Sequence, residues 1–533
     1  MYHIFLKPQR DGIAAPKADR ILAKGEGGMN GRKTTRRKFL GALGTGLMAA
    51  AGTRCSRLAP SAGSRAGAQG SPRLPNIVLV LTDDQGYGDL GCYGSKDIDT
   101  PILDRMAADG IRFTDFYASQ AVCSSSRASL LTGCYAERVG IVGALMPNAR
   151  IGLGPGEETI ADLLKRRGYA TGIFGKWHLG HHRPFLPLQH GFDEYLGLPY
   201  SNDVWPLGYD GQPVASGQKS AHPPLPLIQG NDKIDEIRTL EDQNKLTALE
   251  TEAALRFIDK SKDRPFFLYV PYSMPHTPLG VSDKFRGKSR QGPYGDVIEE
   301  IDAAVGRILE RLRLHNLEKD TWVLFISDNG PWLNFGKNGG SAGPLREGKG
   351  TMFEGGPRVP CLMRWPGRIP PGRVVSGIAT AMDILPSIIA AAGAPRPKNR
   401  IDGLDLWPLL EGRPGANPRD HFFYYYERGL RAVREGRWKL IFPHKTRSYV
   451  GVARGKDGQP GPYAQIQTGL ELYDLEADIG ETKDVAAAHP DIVARLQALA
   501  ETARKDLGDS LTNRKGNGVR EPGRLEPPAT LNF

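Results

Sequence analysis

The 533-residue sequence lacks several features that mark specialised classes of protein. Its five cysteines are scattered and form no Cys-x-x-Cys pair, which excludes a disulfide framework and a cysteine zinc site. It contains no internal repeat, no heptad pattern and no glycine-rich phosphate loop. With 40% hydrophobic and 24% charged residues, it has the composition of an ordinary globular protein rather than a disordered one.

The chain also lacks a charge excess in the part that is long enough to form a core. Its formal net charge is +11, which on its own suggests a nucleic-acid or membrane partner. Residues 1–73, however, hold 14 of the 70 Lys and Arg residues and only three of the 59 Asp and Glu residues, so residues 74–533 carry 56 of each sign. The basic excess therefore belongs to an N-terminal leader, and we expect no nucleic-acid partner.

The leader has the features of a twin-arginine export signal. Arg36 and Arg37 precede an uncharged, weakly apolar segment at 39–53, which is shorter than the roughly 20 residues that cross a bilayer. A basic surface helix is the alternative interpretation. Residues 54–73 are rich in Ser, Gly, Ala and Arg, as in a flexible linker. We expect export by the twin-arginine machinery to the periplasm or the cell exterior, and no transmembrane segment in the mature protein.

Hydrophobic patterning after the leader predicts an α/β fold. Continuous apolar runs indicate strands buried on both faces, and helical patterns lie between them. The predicted strands are Asn76–Leu81, Ala170–Phe174, Pro265–Val270 and Thr321–Ile326, and the predicted helices are Thr100–Gly110, Glu157–Arg167, Thr239–Lys260 and Val297–Leu314. This alternation predicts a large, mostly parallel sheet flanked by helices.

From about residue 420 the pattern changes to that of a smaller α+β domain. Three short antiparallel strands and a terminal amphipathic helix are predicted at Phe422–Tyr426, Trp438–Phe442, Glu471–Leu475 and Asp491–Leu507. We therefore expect a leader at 1–73, a catalytic domain at 74–419, and a smaller C-terminal domain at 420–533.

Acidic and amide side chains follow two of the predicted strands. Asp83 and Asp84 come after the first strand, and they are the first candidate pair. Asp328 and Asn329 come after the strand that begins at Thr321. An Asp in either place alone is most simply a turn or helix cap. At equivalent ends of neighbouring parallel strands, the two pairs would instead offer oxygen ligands to a hard cation, Ca²⁺ or Mg²⁺.

A cysteine followed by small hydroxyl residues is the second feature. Cys123 begins the run Cys-Ser-Ser-Ser-Arg before an apolar pair, a pattern typical of a helix N-terminus, where backbone amides stabilise an anion. Arg127 would lie on the same helix face, one turn later. The alternative is an inert buried thiol.

Cationic side chains follow further strand ends. Lys176 and His178 come after the strand ending at Phe174, and His276 follows the strand that ends at Val270. Lys349 lies in a glycine-rich loop after the acidic pair at 328–329. Each could be an ordinary surface group. Together, beside a metal, they predict a pocket for an oxyanion such as sulfate or phosphate.

These segments resemble a type I sulfatase of the alkaline phosphatase superfamily. The resemblance runs from Asn76 to about Asp484, with Ala121–Gly133 similar to the first sulfatase signature and Gly168–Leu179 similar to the second. Further segments resemble the arylsulfatase A and N-acetylgalactosamine-6-sulfatase branch or the C-terminal part of the family, namely Glu194–Asp203, Gly292–Asp296 and Glu471–Leu475. One position departs from the pattern, because Ser125 stands where the family usually has Pro or Ala.

The resemblance implies a covalent mechanism. In such enzymes the signature cysteine, here Cys123, is oxidised by a formylglycine-generating enzyme to Cα-formylglycine, whose hydrated form attacks sulfur and expels the alcohol. The second hydroxyl of the hydrate then loses its proton, and the intermediate collapses to aldehyde and sulfate. The implied substrates are aryl sulfates and sulfated sugars, and the implied cofactor is one Ca²⁺.

The resemblance also implies a role for each candidate residue. Ca²⁺ would be bound by Asp83, Asp84, Asp328, Asn329 and the modified Cys123, and Arg127 would steady the hydrate. The substrate would be bound by Lys176, Lys349 and Ser201. His178 would be the base for the collapse of the intermediate, and His276, or alternatively Lys349, would be the general acid.

Two other functions remain open on the sequence alone. One is a phosphodiesterase or phosphonate monoester hydrolase of the same superfamily, which shares the metal crevice. The other is an inactive homologue, left unmodified because of Ser125, that binds a sulfated glycan without turnover.

Overall fold

The computed structural model describes residues 73–456 and 458–526. The twin-arginine signal and most of the linker lie outside the described residues. Within the described ranges, no helix combines the length and the apolar character that a membrane crossing requires.

A ten-stranded mixed sheet forms the centre of the N-terminal part of the described structure. In chain order its strands are β1 (Asn76–Thr82), β2 (Ile111–Phe113), β5 (Ala170–Phe174), β6 (Glu194–Gly197), β7 (Leu225–Gln229), β8 (Asp232–Ile237), β9 (Phe266–Pro271), β10 (Thr321–Ser327), β11 (Cys361–Arg364) and β12 (Arg373–Val375). Their spatial order is β12-β2-β11-β10-β1-β9-β5-β6-β7-β8, with parallel pairing through the middle and antiparallel strands toward both edges. Short two-stranded pairings involve β3 (Phe116–Tyr117) with β13 (Ala379–Thr380) and β4 (Ile151–Gly152) with β22 (Gly523–Arg524).

Helices cover both faces of this sheet. They are α1 (Pro101–Ala108), α2 (Cys123–Thr132), α3 (Ile160–Arg166), α4 (Leu240–Gln243), α5 (Leu246–Ser261), α6 (Pro293–Leu314), α7 (Ile384–Ala392) and α8 (Trp407–Leu410). The side chains of β1 alternate between two cores: Ile77 and Leu79 pack with α2, α3 and α7, whereas Val78 and Val80 pack with α1, α5 and α6. A strand buried on both faces needs the continuous apolar run that the sequence shows.

The C-terminal domain is built on a four-stranded antiparallel sheet of order β14-β15-β16-β19. Its strands and helix are β14 (His421–Tyr426), β15 (Gly429–Glu435), β16 (Trp438–Ile441), β17 (Lys445–Ser448), β18 (Ala464–Gln467), β19 (Glu471–Asp474), α9 (Pro490–Leu507), β20 (Gly508–Asp509) and β21 (Arg514–Lys515). Buried apolar residues of α9 share a core with this sheet.

The predicted fold class is confirmed, and each predicted strand and helix is present within a few residues of its expected bounds. One helix differs, because the helix expected over 239–260 is divided into α4 and α5. The side chains at the break are engaged elsewhere: Gln243 exchanges hydrogen bonds with Asn202, and Asn244 accepts one from the backbone N–H of Val281. These contacts hold the chain at a bend between the two helices.

A buried charged network joins the C-terminal sheet to the part that contains the ten-stranded sheet. The Lys439 ammonium, on β16, lies 3.0 Å from a carboxylate oxygen of Glu354 and 2.7 Å from one of Glu481. Glu354 also accepts hydrogen bonds from Tyr117 and Tyr424, at 2.6 and 2.8 Å. Burial opposes ionisation of Glu354, but Lys439 and two neighbouring arginines hold its pKa below its ordinary value.

We predict that Lys439→Met destabilises the protein strongly. The substitution keeps the length of the side chain but leaves two buried carboxylates without their shared cation, which costs about 3–5 kcal/mol. Urea denaturation at pH 7 measures the apparent free energy of unfolding. The control is Lys483→Met, at an exposed lysine, which should change it by less than about 0.5 kcal/mol. Similar small losses in both variants would contradict the importance of the network.

Candidate active site

The site is assembled at the carboxyl ends of β1 and β10. These strands are parallel neighbours in register, with Thr82 opposite Ser327, so the acidic pairs that follow them emerge side by side. The backbone N–H of Asp84 donates to Oδ1 of Asp328 at 3.1 Å, and Nδ2 of Asn329 donates to Oδ1 of Asp84 at 2.7 Å. Asp84 has a φ of 65°, an uncommon left-handed conformation that Asp tolerates better than most residues.

Cys123 lies beside this acidic group, at the first position of α2. Its Sγ is 3.5 Å from Oδ1 of Asp83 and is fully enclosed. Burial, reinforced by the charge of Asp83, raises the pKa of the Cys123 thiol to about 12. The helix N-terminus predicted from the sequence is therefore present, but the unmodified thiol stays protonated at neutral pH and is a poor nucleophile.

Arg127, one turn along α2, holds two of the acids. Its Nη2 lies 2.9 Å from Oδ2 of Asp328 and 3.5 Å from Oδ2 of Asp83. Its Nη1 donates to the backbone carbonyl of Lys176 at 2.6 Å. The arginine thus fixes the relative positions of the two strand ends and of the turn after β5.

Lys176, Ser201 and His276 form a connected group. The Lys176 ammonium pairs with Asp83 and donates to the hydroxyl of Ser201 at 3.0 Å. The Ser201 hydroxyl lies 3.2 Å from Nε2 of His276. Nδ1 of His276 is 2.7 Å from the carbonyl oxygen of Thr277, so Nδ1 carries a proton and Nε2 of the neutral ring is an acceptor. Burial and the charge of Lys349 lower the pKa of His276.

Lys349 and His178 complete the set of candidate residues. The Lys349 ammonium donates to Oδ2 of Asp84 at 2.7 Å, and despite burial this contact holds the pKa of Lys349 well above its ordinary value. Nε2 of His178 lies 3.1 Å from the carbonyl oxygen of Leu145, whereas its buried Nδ1 has no hydrogen-bond partner among the described residues. Burial and Lys176 lower the pKa of His178 well below its ordinary value.

The donor set fits a hard divalent cation. Asp83, Asp84, Cys123 and His276 each offer a ligand atom, and these atoms lie within 4.8 Å of one another. Oδ1 of Asn329 is buried next to them and accepts no hydrogen bond from the part of the chain that the structure describes. Clustered carboxylate and amide oxygens are the ligands that Ca²⁺ and Mg²⁺ prefer.

The buried charges of the site are equal in number and lie close together. Three carboxylates face three cationic side chains, those of Arg127, Lys176 and Lys349. Burial and Asp83 together raise the pKa of Asp328 to about 7. At Asp83, burial alone would raise the pKa, but Lys176, His276, Arg127 and Lys349 together hold the pKa of Asp83 well below its ordinary value. A divalent cation would ionise Asp328 fully and give the site a net positive charge, which suits an anionic ester.

The structure brings together every candidate that the sequence predicts for this site, and it adds one that the sequence did not single out. The indole of Trp332 lies 4.3 Å from the Lys349 ammonium, and its ring centroid is 5.3 Å from that of His276. The sequence signals Trp332 only by its position, which is three residues after Asn329 and beyond the end of β10.

Comparisons with known proteins match the chain to one family. The pattern of the family described as Sulfatase matches residues 75–394, and that of N-sulphoglucosamine sulphohydrolase, C-terminal, matches residues 348–506. Human arylsulfatase A is 40% identical over 486 residues, covering 86% of this chain and 92% of that protein. Dog N-acetylgalactosamine-6-sulfatase is 40% identical over 492 residues, covering 86% and 91%. Among solved structures, PsFucS1 sulfatase from Pseudoalteromonas sp. is similar, with a TM-score of 0.73, 26% identity, and coverage of 81% and 90%.

We predict that Asp328→Asn weakens Ca²⁺ binding by about 10-fold or more, because the variant keeps the shape of the side chain and removes one of the clustered negative charges. Calcium titration calorimetry on metal-stripped protein measures the affinity. Asp283→Asn, which removes an exposed carboxylate, is the control and should leave the affinity unchanged. Equal affinities in all three proteins would exclude Asp328 from the cation site.

Proposed function

The chain belongs to the sulfatase family and is a sulfuric ester hydrolase, and from this premise we propose that it cleaves sulfated sugars and aryl sulfates with a formylglycine made from Cys123 and a bound Ca²⁺. One observation carries the proposal. Cys123 is enclosed at a helix N-terminus, 3.5 Å from an aspartate that is itself held by Lys176 and Arg127.

The state of the thiol supports modification rather than thiolate chemistry. A cysteine with a pKa of about 12 has almost no thiolate at neutral pH. In the conversion to formylglycine, two electrons and two protons of the CH₂SH group would pass to an oxidant supplied by a separate maturation enzyme, and water would then replace the sulfur, which leaves as sulfide. The hydrated aldehyde supplies an oxygen nucleophile and a second hydroxyl for release of sulfate. Ser125, with its small side chain, would have to be accepted by that enzyme.

The cation would be held by the two strand ends. Asp83, Asp84, Asp328 and Asn329 are the proposed ligands, joined by position 123 after its conversion to an oxygen-bearing side chain. When bound, Ca²⁺ supplies positive charge that lowers the energy of negative oxygens in the site.

Lys176 and Lys349 would bind the sulfate group. Both ammonium groups are buried, so their interaction with an anion is little screened by solvent. Ser201 orients Lys176 on one side of the pocket and faces His276 on the other. Because Lys176 and Cys123 both contact Asp83, a sulfate group held by Lys176 would lie close to position 123.

We assign proton transfer to His178 in the collapse step and to Lys349 and His276 at the leaving group. Nδ1 of His178 has no hydrogen-bond partner among the described residues, and the lowered pKa leaves the ring neutral, as a base for the collapse step requires. On the leaving-group side, Lys349 already carries a proton in the free protein, whereas Nε2 of His276 must first gain one. The negative charge of a bound sulfate ester favours that gain, so both residues are proposed to assist the departing oxygen.

Export and domain organisation complete the proposal. The twin-arginine leader at 1–73 would carry the folded, already modified protein to the periplasm or beyond. The catalytic domain at 74–419 and the C-terminal domain at 420–533 would both contribute to the substrate pocket.

We predict that Cys123→Ala lowers hydrolysis of an aryl sulfate by at least about 1000-fold, because the nucleophile is removed. Activity is measured on protein that was produced with the maturation enzyme. Cys92→Ala, the same change at a cysteine outside the site, is the control and should keep near-normal activity. The melting temperature of both variants checks folding, and a folded Cys123→Ala variant with a tenth of the original activity would contradict the nucleophile.

A further inference from the structure

A second basic cavity lies directly beside the active site, on the side of the C-terminal domain. It has a volume of about 190 Å³ and is lined by Arg431, Lys445 and Arg447, with Glu427 as its one acidic lining residue. Gly350, which follows Lys349 in the chain, forms part of its wall. Because liquid water occupies about 30 Å³ per molecule, the space admits a group the size of a sulfate together with some water.

Arg431 brings a guanidinium group without a directly bound partner among the described residues to this cavity. Its guanidinium forms no hydrogen bond or ion pair with the residues that the structure describes, although most of its surface is covered. Burial lowers its pKa, and the carboxylates of Glu427 and Asp509 only partly offset that effect. A covered guanidinium of this kind is stabilised when an anion enters the cavity.

Arg447 brings a second guanidinium and connects the cavity to the active site. A methyl group added at Gly350 would lie 2.8 Å from its Cζ, so Arg447 is in contact with the backbone next to Lys349. Its Nη2 is 3.4 Å from the hydroxyl of Tyr426, and its Cζ lies 4.8 Å from the ring centroid of Tyr463.

An aromatic bridge spans the distance between the two basic sites. The hydroxyl of Tyr463 accepts a hydrogen bond from the indole N–H of Trp332 at 2.9 Å. Trp332 in turn lies 4.3 Å from the Lys349 ammonium. Both aromatic side chains are partly exposed. A sugar ring that extends from the catalytic pocket toward the cavity would therefore pass over aromatic surface, which sugars favour because of their apolar faces.

We propose that the cavity of Arg431 and Arg447 is a second anion subsite, which binds a sulfate group on a neighbouring sugar while Lys176 and Lys349 hold the sulfate to be cleaved. This inference rests on the proposed function and narrows the substrate class. The natural substrate is then a sugar chain with at least two sulfate groups, rather than a small monosulfate. The tetrahedral oxygens of a sulfate suit two guanidinium groups that approach from different strands, β15 and β17.

Equilibrium binding tests this subsite without depending on turnover. The parent protein is Cys123→Ala in calcium-containing buffer, and the probes are two uronic acid–N-acetylgalactosamine disaccharides. One carries a 6-sulfate alone, and the other carries a second sulfate on the uronic acid. We expect the disulfated sugar to bind about 10-fold more tightly or better. Arg431→Gln should reduce this preference to about twofold or less.

Two further variants complete the test. Arg428→Gln removes an exposed arginine of the same hairpin that does not line the cavity, and it should keep the full preference. Arg431→Lys keeps the positive charge and should keep part of the preference for the disulfated sugar. Equal affinity for both sugars in the parent protein, including no binding of either, would overturn the subsite, as would a preference that survives Arg431→Gln. Failure of the formylglycine mechanism would appear separately, as turnover by the folded Cys123→Ala variant.

Discussion

The in-register pairing of β1 with β10 is the constraint on which the rest of the structure depends. It places the side chains of Asp83, Asp84 and Asp328 together in the interior, where ionised carboxylates are costly unless cations lie beside them. Three elements far apart in the sequence supply those cations, because α2 carries Arg127, the turn after β5 carries Lys176, and the loop after β10 carries Lys349. The cations of the proposed oxyanion pocket are thus the ones that compensate the buried acids at the carboxyl ends of β1 and β10.

Much of the fold and of the site could be predicted from the sequence because both depend on local signals. Continuous apolar runs identified the central strands, and the residues after each run identified the acidic pairs, Lys176 and His276. The sequence could not show that helix α4 ends where Gln243 and Asn244 bind other loops, or that Trp332 lies against Lys349. Those features depend on contacts between residues that are distant in the chain, for which no local pattern exists.

The C-terminal domain contacts residues of the candidate active site as well as the core of the N-terminal part. Lys439 fixes its sheet against Glu354, in the segment that follows Lys349. From the same domain, Tyr449 donates its hydroxyl hydrogen to the backbone carbonyl of Lys349 at 2.5 Å, and Tyr463 binds Trp332. Loss of the domain would therefore expose buried charge and release the lysine that is proposed to assist the leaving group.

The central claim is that Cys123 becomes an aldehyde, and its mass tests this most directly. Tryptic digestion of protein made in its native host yields the peptide from Phe113 to Arg127, which contains Cys123 as its only cysteine. We predict a peptide that is lighter than its cysteine form, because CHO replaces CH₂SH, and that reacts with hydrazine reagents. A peptide that retains an intact thiol throughout an active preparation would contradict the account.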